Sequence, residues 1–251
     1  MNTKKLTLVY PYYDNPVMFG MQLEEWVRYP KAVKACTEFI VIDDCSTKKP
    51  AIDVVRANQA CFQVGIQFRL YRITIKVPWN WVAARNIGCH EADDCWLFIT
   101  DMDQMLKGAD AEAVVKLMMD GQLKVDAYYT FSRFKVDGTE YKVHPNTYLL
   151  SKELYWRVGG YEEDFAGLYG SDGNFRRRIR KWAFGGNTHF YDIKTVYYDR
   201  DTIPDSGCFE FPRKEGRDQA LNKAYMKKGI ELLENDKLKA KTMTFPYERL
   251  I

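Results

Sequence analysis

The chain has 251 residues, 46% apolar and 15% aromatic, enough to bury the core of one large α/β domain or two small ones. Thirty-seven basic residues face 34 acidic ones, so a net charge of +3 does not by itself mark a nucleic-acid binder, and any polyanion must be held locally. Six cysteines (Cys36, Cys45, Cys61, Cys89, Cys95, Cys208) without a C-x-x-C pair argue against a zinc knuckle or disulfide framework, and no apolar run approaches the roughly 20 residues of a membrane span.

No signal peptide is visible in Met1-Asn2-Thr3-Lys4-Lys5, and the expected setting is a reducing cytoplasm with no integral membrane segment. Leu6 to Tyr10 reads as a first strand, and Pro11 to Pro16 as the loop after it. Phe19 to Ala35 carries spaced apolar residues among charges, which predicts a surface helix interrupted at Pro30. A second strand, Glu38 to Ile42, ends in Asp43-Asp44. A helix from Ala51 to Cys61 then leads to a third strand, Ile66 to Ile73, entered through Gly65. Three β-α units in succession predict a parallel, Rossmann-like sheet.

Asn80 is the expected N-cap of a helix from Trp81 to Glu91, which contains Arg85 and Asn86. Trp96 to Ile99 is too short for a core helix and too apolar for a half-exposed strand, so it reads as a strand buried on both faces. It breaks off into Asp101-Met102-Asp103. Ligands of parallel sheets bind beyond the carboxyl ends of the strands, and two acids there offer hard oxygen ligands to Mg²⁺ or Mn²⁺. Asp is equally a common turn former, and the pattern alone does not decide between the two.

Gly108 to Gly121 carries a helical apolar period, and Val125 to Phe134 reads as an aromatic strand followed by a hairpin at Gly138. Asn146 to Leu150 is a further strand, and Lys152 to Val158 a helix stopped by Gly159-Gly160. From Gly173 to Trp182 the apolar residues Phe175, Ile179 and Trp182 share one face, with Arg176, Arg177, Arg178, Arg180 and Lys181 around the rest. Gly185 to Asp205 reads as strands and turns, Lys214 to Glu234 as a charged helix, and Asn235 to Ile251 as a polar tail of undecided order.

Five of these segments, taken in order, resemble the GT-A fold glycosyltransferases, in particular the inverting family 2. Leu8-Val9-Tyr10-Pro11-Tyr12-Tyr13-Asp14 is similar to that family's first strand and loop, and Val41-Ile42-Asp43-Asp44-Cys45-Ser46-Thr47 to its V-V-D-D-x-S-T. Ala84-Arg85-Asn86-Ile87-Gly88 repeats A-R-N-x-G, and Asp101-Met102-Asp103 stands where the family carries D-x-D. Gly159 to Phe165, followed by Tyr169-Gly170-Ser171-Asp172, resembles G-G-F-D-E-x-F…G-E-D. The resemblance implies an α/β fold with a mixed, mostly parallel central sheet flanked by helices and a smaller acceptor-side subregion. One domain spans 1–251 in this reading: a nucleotide-sugar half (1–103), an acceptor and catalytic half (104–205), and a C-terminal helix and tail (206–251).

By matching position, Pro11, Tyr13 and Asp44 line the nucleotide base with Asp43 nearby, and Arg85 stands near the diphosphate. Asp101 faces ribose or metal, Asp103 ligates Mn²⁺ or Mg²⁺, and Asp172 is the catalytic base. The implied activity is metal-dependent inverting transfer from a nucleoside-diphosphate sugar, with UDP the expected nucleotide. Taken singly, these residues also read as turn acids, a core tyrosine, a solvated arginine and a helix cap paired with Arg176. The chain departs from the family at Ser171, where a second acid is usual, and His189 lies early for the family's late histidine. Missing membrane helices and a missing long accessory segment point away from a processive synthase.

Two other classes compete: a sugar nucleotidyltransferase, for which Tyr12-Tyr13-Asp14-Asn15 lacks the usual glycine-rich loop, and a silent sugar- or nucleotide-binding module. The acceptor is left open between a glycan, a small molecule and DNA with a hydroxylated base, since basic helices are often only solvated faces.

Overall fold

The structure is a computed structural model describing residues 5–93, 96–168, 172–206, 219–234 and 242–251. In chain order the first half comprises β1 (Leu6–Tyr12), α1 (Pro16–Arg28), α2 (Lys31–Cys36), β2 (Thr37–Asp43), α3 (Ala51–Ala57), β3 (Gln67–Ile73), α4 (Trp81–Glu91) and β4 (Trp96–Ile99). It continues with β5 (Gln104–Leu106), α5 (Gly108–Met119), β6 (Tyr128–Lys135), β7 (Glu140–Tyr141), β8 (Tyr148–Ser151), α6 (Lys152–Arg157), α7 (Asp172–Trp182), β9 (Asn187–Tyr197), α8 (Gln219–Glu234) and β10 (Tyr247–Arg249).

Among the described residues ten strands make one mixed sheet in the order β10-β3-β2-β1-β4-β8-β6-β9-β5, with β7 paired to β6. The four strands β3, β2, β1 and β4 are parallel, as the β-α succession requires. Beyond β4 most pairs are antiparallel, β6 with β9 being the parallel exception. Thr100 to Asp103 carries the chain from β4, inside the parallel half, to β5 at the far edge. The two carboxylates therefore lie on the stretch that crosses between the halves.

Strand alternation divides the core between the two faces of the sheet. Leu6, Leu8, Tyr10 and Tyr12 point to one face with Phe39 and Val41, while Val9 points to the other with Ile40 and Ile42. On the first face Trp26 of α1 stacks on Phe39 with ring centroids 4.4 Å apart. On the second, α4 lies close to the sheet because Gly88 has no side chain. A Cβ there would stand 2.6 Å from Ile42 Cδ1 and collide with Val9.

The break at Pro30 appears as the gap between α1 and α2, and Gly159 and Gly160 both adopt the left-handed backbone expected after α6. Other expectations need correction. Asn80 flanks α4 but its side chain makes no cap hydrogen bond; its backbone N–H instead donates to Asp44 Oδ2. Arg178 is wholly buried rather than solvated, donating to the Gly160 carbonyl. The tail forms a strand, β10, antiparallel to β3, and β5 is a strand not expected from sequence. Of the anticipated helix from Lys214, residues 219–234 are helical; Cys95, Cys208, Tyr169, Gly170, Ser171 and residues 214–218 lie outside the described residues.

Candidate active site

A cavity of 550 Å³ opens at the carboxyl ends of β1, β2 and β4, within the range usual for small-ligand sites. Pro11 and Tyr13 reach it from β1 and its loop, Asp44 from the end of β2, and Asp101 and Asp103 from the crossing after β4. Asp172 and Arg176 enter from the start of α7. Six of the expected site residues, separated by up to most of the chain, thus share one concavity. Asp43 and Arg85 do not line it.

The loops around the cavity are held in unusual backbone conformations. Asp14, Cys45 and Trp79 all have positive φ (47°, 52° and 57°), a region non-glycine residues rarely adopt, and each adjoins or belongs to the wall. Hydrogen bonds fix them. The Asp14 carboxylate accepts from the backbone N–H groups of Lys48 (3.1 Å) and Lys49 (2.7 Å), and Asp14 N–H donates to Ser46 Oγ (3.0 Å), tying the β1 loop to the β2 loop.

The adjacent acids Asp43 and Asp44 have separate tasks. Asp43 Oδ1 accepts from Ser46 N–H (2.7 Å) and Oδ2 from Ala51 N–H (2.8 Å), so its carboxylate holds the loop and the start of α3. Its expected place beside the nucleotide therefore rests on its neighbour Asp44, which lines the cavity. Asp44 Oδ2 accepts from Asn80 N–H (2.6 Å), whereas Oδ1 is buried with no partner among the described residues. Burial, opposed by that hydrogen bond, pushes its carboxyl well above the usual range.

Arg85 also has another task than expected. Its guanidinium is fully buried, packs over the Trp81 ring at 4.9 Å, donates to Tyr161 Oη (2.8 Å) and the Asn146 carbonyl (3.0 Å), and pairs with Asp101. It is an internal counter-ion to Asp101 and does not itself line the cavity. His144 Nε2 stands 3.2 Å from the other Asp101 oxygen. Burial works to raise the Asp101 carboxyl, but Arg85 and His144 outweigh it and hold the group well below the usual range.

Asp103 is the opposite case: burial first, then the neighbouring Asp101 charge, push its carboxyl up to about 6. Its one hydrogen bond described is from Gln104 Nε2 to Oδ1 (2.8 Å). A carboxylate beside a cavity, crowded by a second carboxylate, fits a divalent cation, and Mg²⁺-type sites need only one or two protein carboxylates when phosphates complete the shell. Among the described residues no three His, Cys, Asp or Glu side chains cluster for a metal, so the phosphates would have to complete it.

Asp172 begins α7 and pairs with Arg176 one turn on at 3.3 Å. Several wall residues were not anticipated: Trp79 and Trp81 flanking Asn80, Asn146, Arg177, and Met226 of α8. The W-N-W spacing was a readable signal for two aromatics at a loop-helix junction; Met226 carried none. His189 is not at this cavity and instead bonds Thr130 Oγ1 (3.0 Å).

No protein-family model and no curated protein matches this sequence. Solved structures do match in shape. S. aureus TarS 1–349 in complex with UDP-GlcNAc superimposes with a TM-score of 0.63 at 13% identity, over 82% of this chain and 61% of that one. The mannosyltransferase PcManGT from Pyrobaculum calidifontis, in complex with GDP-Man and Mn²⁺, gives 0.60 at 16% identity over 94% and 66%. GalNAc-T7 with UDP, GalNAc and Mn²⁺ gives 0.55 at 12% over 77% and 43%. The chain spans 37% of the longer TarS chain and 63% of its 1–349 form. At these identities the likeness is one of architecture, and the chain has the GT-A fold that these glycosyltransferases share.

Proposed function

We propose that the protein is a glycosyltransferase that moves a sugar from a nucleoside diphosphate, most simply UDP, to an acceptor hydroxyl with inversion at the anomeric carbon. The observation that carries this reading is the convergence of Asp44, the Asp101–Asp103 pair and Asp172 on one cavity. Residues 1–103 then form the donor half and 104–205 the acceptor half, with 206–251 a C-terminal helix and tail that adds Met226 to the cavity wall. TarS bound to UDP-GlcNAc and PcManGT bound to GDP-Man support a nucleotide-sugar donor in general.

In this mechanism Asp44 Oδ1 accepts from an N–H of the base, and Tyr13 offers its ring for stacking. Asp103, beside Asp101, would hold Mn²⁺ or Mg²⁺. Bound there, the cation would neutralise charge on the departing diphosphate. Arg85 keeps Asp101 ionised and oriented without touching substrate. Asp172 takes the proton from the acceptor hydroxyl as that oxygen attacks the anomeric carbon. A new C–O bond forms while the bond to the diphosphate oxygen breaks on the opposite face.

Incubation with UDP-sugars and Mn²⁺ tests the proposal. Slow release of UDP, with a product whose anomeric coupling constant is opposite to the donor's, is expected. Retained configuration would overturn the inverting mechanism. Pyrophosphate-dependent release would indicate a nucleotidyltransferase, and no turnover with any donor a silent binding module.

A further inference from the structure

The helices α7 and α8 carry eight basic residues, seven of them outside the core, against three acidic ones, although the whole chain is only +3. The remainder of the molecule is thus slightly acidic, and the net positive excess falls on one pair of helices. These helices are packed closely through two glycines. A Cβ at Gly173 would stand 2.9 Å from Met226 Cε, and one at Gly229 would stand 2.7 Å from Asn174 Oδ1. The pair is also a wall of the cavity, since Asp172, Arg176 and Arg177 line it from α7 and Met226 from α8. One turn outward, Arg180 follows Arg176 and Lys223 precedes Met226 on the same helix faces, and both are exposed. Arg180 and Lys223 do not line the cavity, so the basic residues on these helices exceed those that face it.

A second feature lies on β6, β7 and β9. Tyr141 and Tyr197 stack at 5.6 Å with planes 14° apart, and Arg133 caps them, 3.9 Å over the Tyr197 ring and 4.9 Å over the Tyr141 ring. Tyr197 stands opposite Gln104 in the β5–β9 ladder and Tyr198 N–H donates to the Asp103 carbonyl (3.0 Å), which places this platform next to Asp103. Tyr141 is 37% exposed, with Lys142 over its ring at 5.8 Å. Aromatic faces interleaved with cations bind unpaired bases, while basic helices without them bind any polyanion.

We infer that the acceptor hydroxyl is borne by a nucleic-acid strand, whose phosphates lie along α7 and α8 and whose bases meet the Tyr141–Tyr197 platform. This rests on the glycosyl-transfer reading and names the substrate class of the same site. The strand approaches past Arg180 and Lys223 and delivers its hydroxyl to Asp172.

The test is fluorescence anisotropy of the full chain with a labelled single-stranded oligodeoxynucleotide, as a function of salt, beside the melting-temperature rise given by UDP with Mn²⁺. Arg180→Glu combined with Lys223→Glu is expected to weaken oligonucleotide binding about tenfold and to reduce the slope of log K against log salt by about 2. The UDP-induced rise should persist in that variant, and its unliganded melting temperature reports whether it folds. Tyr141→Ala should weaken oligonucleotide binding about tenfold, the loss of one stacked base. It should leave the binding of inorganic polyphosphate unchanged. Wild-type protein that is stabilised by UDP but does not bind the oligonucleotide overturns the inference and spares the proposed activity. Equal loss of polyphosphate and oligonucleotide in Tyr141→Ala, or an unchanged salt slope in the double variant, overturns it as well. Salt-dependent, Tyr141-dependent binding in a protein that UDP does not stabilise supports the strand surface while removing the activity beneath it.

Discussion

At Asp44 a buried carboxylate spends one oxygen on a backbone N–H and leaves the other with no partner among the described residues. Burial raises its carboxyl in the folded state above the roughly 3.9 of an unfolded aspartate. The folded state therefore binds that proton more tightly, and the stability from this group is fullest at low pH and is lost as pH rises through the folded value. Asp44→Asn, which can keep the bond from Asn80 N–H, is expected to stabilise the unliganded protein by roughly 1–3 kcal/mol at pH 8. The gain should shrink as pH falls, and the UDP-induced melting shift should disappear. Thermal denaturation across pH checks this; an Asn variant no more stable than wild type at pH 8 would sink it. Asp103→Ala removes a carboxylate already strained by Asp101, so its fold should stand while cation-stimulated turnover falls about a hundredfold, the several kcal/mol a metal supplies. Retained Mn²⁺ stimulation in steady-state assays would count against the assignment. Asp172→Asn should still bind donor, whose contacts lie on other elements, and lose transfer by about 10²-fold, typical of a general base. Near-normal transfer would exclude that role.

Between α4, the turn after Gly160 and the C-terminal segment, the joining is done by buried polar side chains. Asn86 Oδ1 accepts from Tyr155 Oη (2.6 Å) and Tyr161 N–H (2.8 Å), while its amide donates to the Tyr161 carbonyl and to Glu163 Oε1, each at 2.8 Å. Glu163 is 3% exposed and also accepts from Met243 N–H (2.9 Å), Thr244 N–H (2.7 Å) and Thr244 Oγ1 (2.7 Å). Beyond that clasp lies β10, which adds to the edge of β3. Glu163→Ala should therefore cost roughly 3 kcal/mol or more, since several buried donors lose a charged acceptor together. Hydrogen exchange at residues 247–249 should rise with it. A urea midpoint equal to wild type, with β10 still protected, would show that the clasp contributes nothing.

At the scale of the whole molecule, a ligand that binds only the native state must stabilise it by mass action. UDP with Mn²⁺ at a hundredfold excess over Kd corresponds to about 2.7 kcal/mol, or a rise of about 5–10 °C for a chain of this size. Differential scanning calorimetry tests this directly. A rise with GDP but none with UDP would change the donor while leaving the cavity's role intact. Among the described residues no helix is long and apolar enough to cross a membrane.

The apolar runs that end abruptly in acids were legible because strand periodicity and chain-breaking residues act over a few positions. β1, β2, β3 and β4 fall within a residue or two of where those runs stand, and their ends carry Asp44, Asp101 and Asp103 to one edge. Sequence also identified Asp172 at the start of α7 and its partner Arg176. Which charged groups reach the cavity was decided only by tertiary packing. Asp43 and Asp44 are neighbours with nearly the same local signal, yet Asp43 accepts from Ser46 and Ala51 N–H groups while Asp44 Oδ1 has no partner among the described residues. Arg85 matched a motif, but the Asp101, Tyr161 and Asn146 atoms that enclose it come from three distant segments. Likewise Arg176 and Arg177 line the cavity while Arg178, the next residue, is buried, and Met226 joins the wall from a helix whose own pattern reads as a charged surface. A hydrogen-bond acceptor's availability depends on every donor brought near it, and that census exists only once the chain has closed on itself.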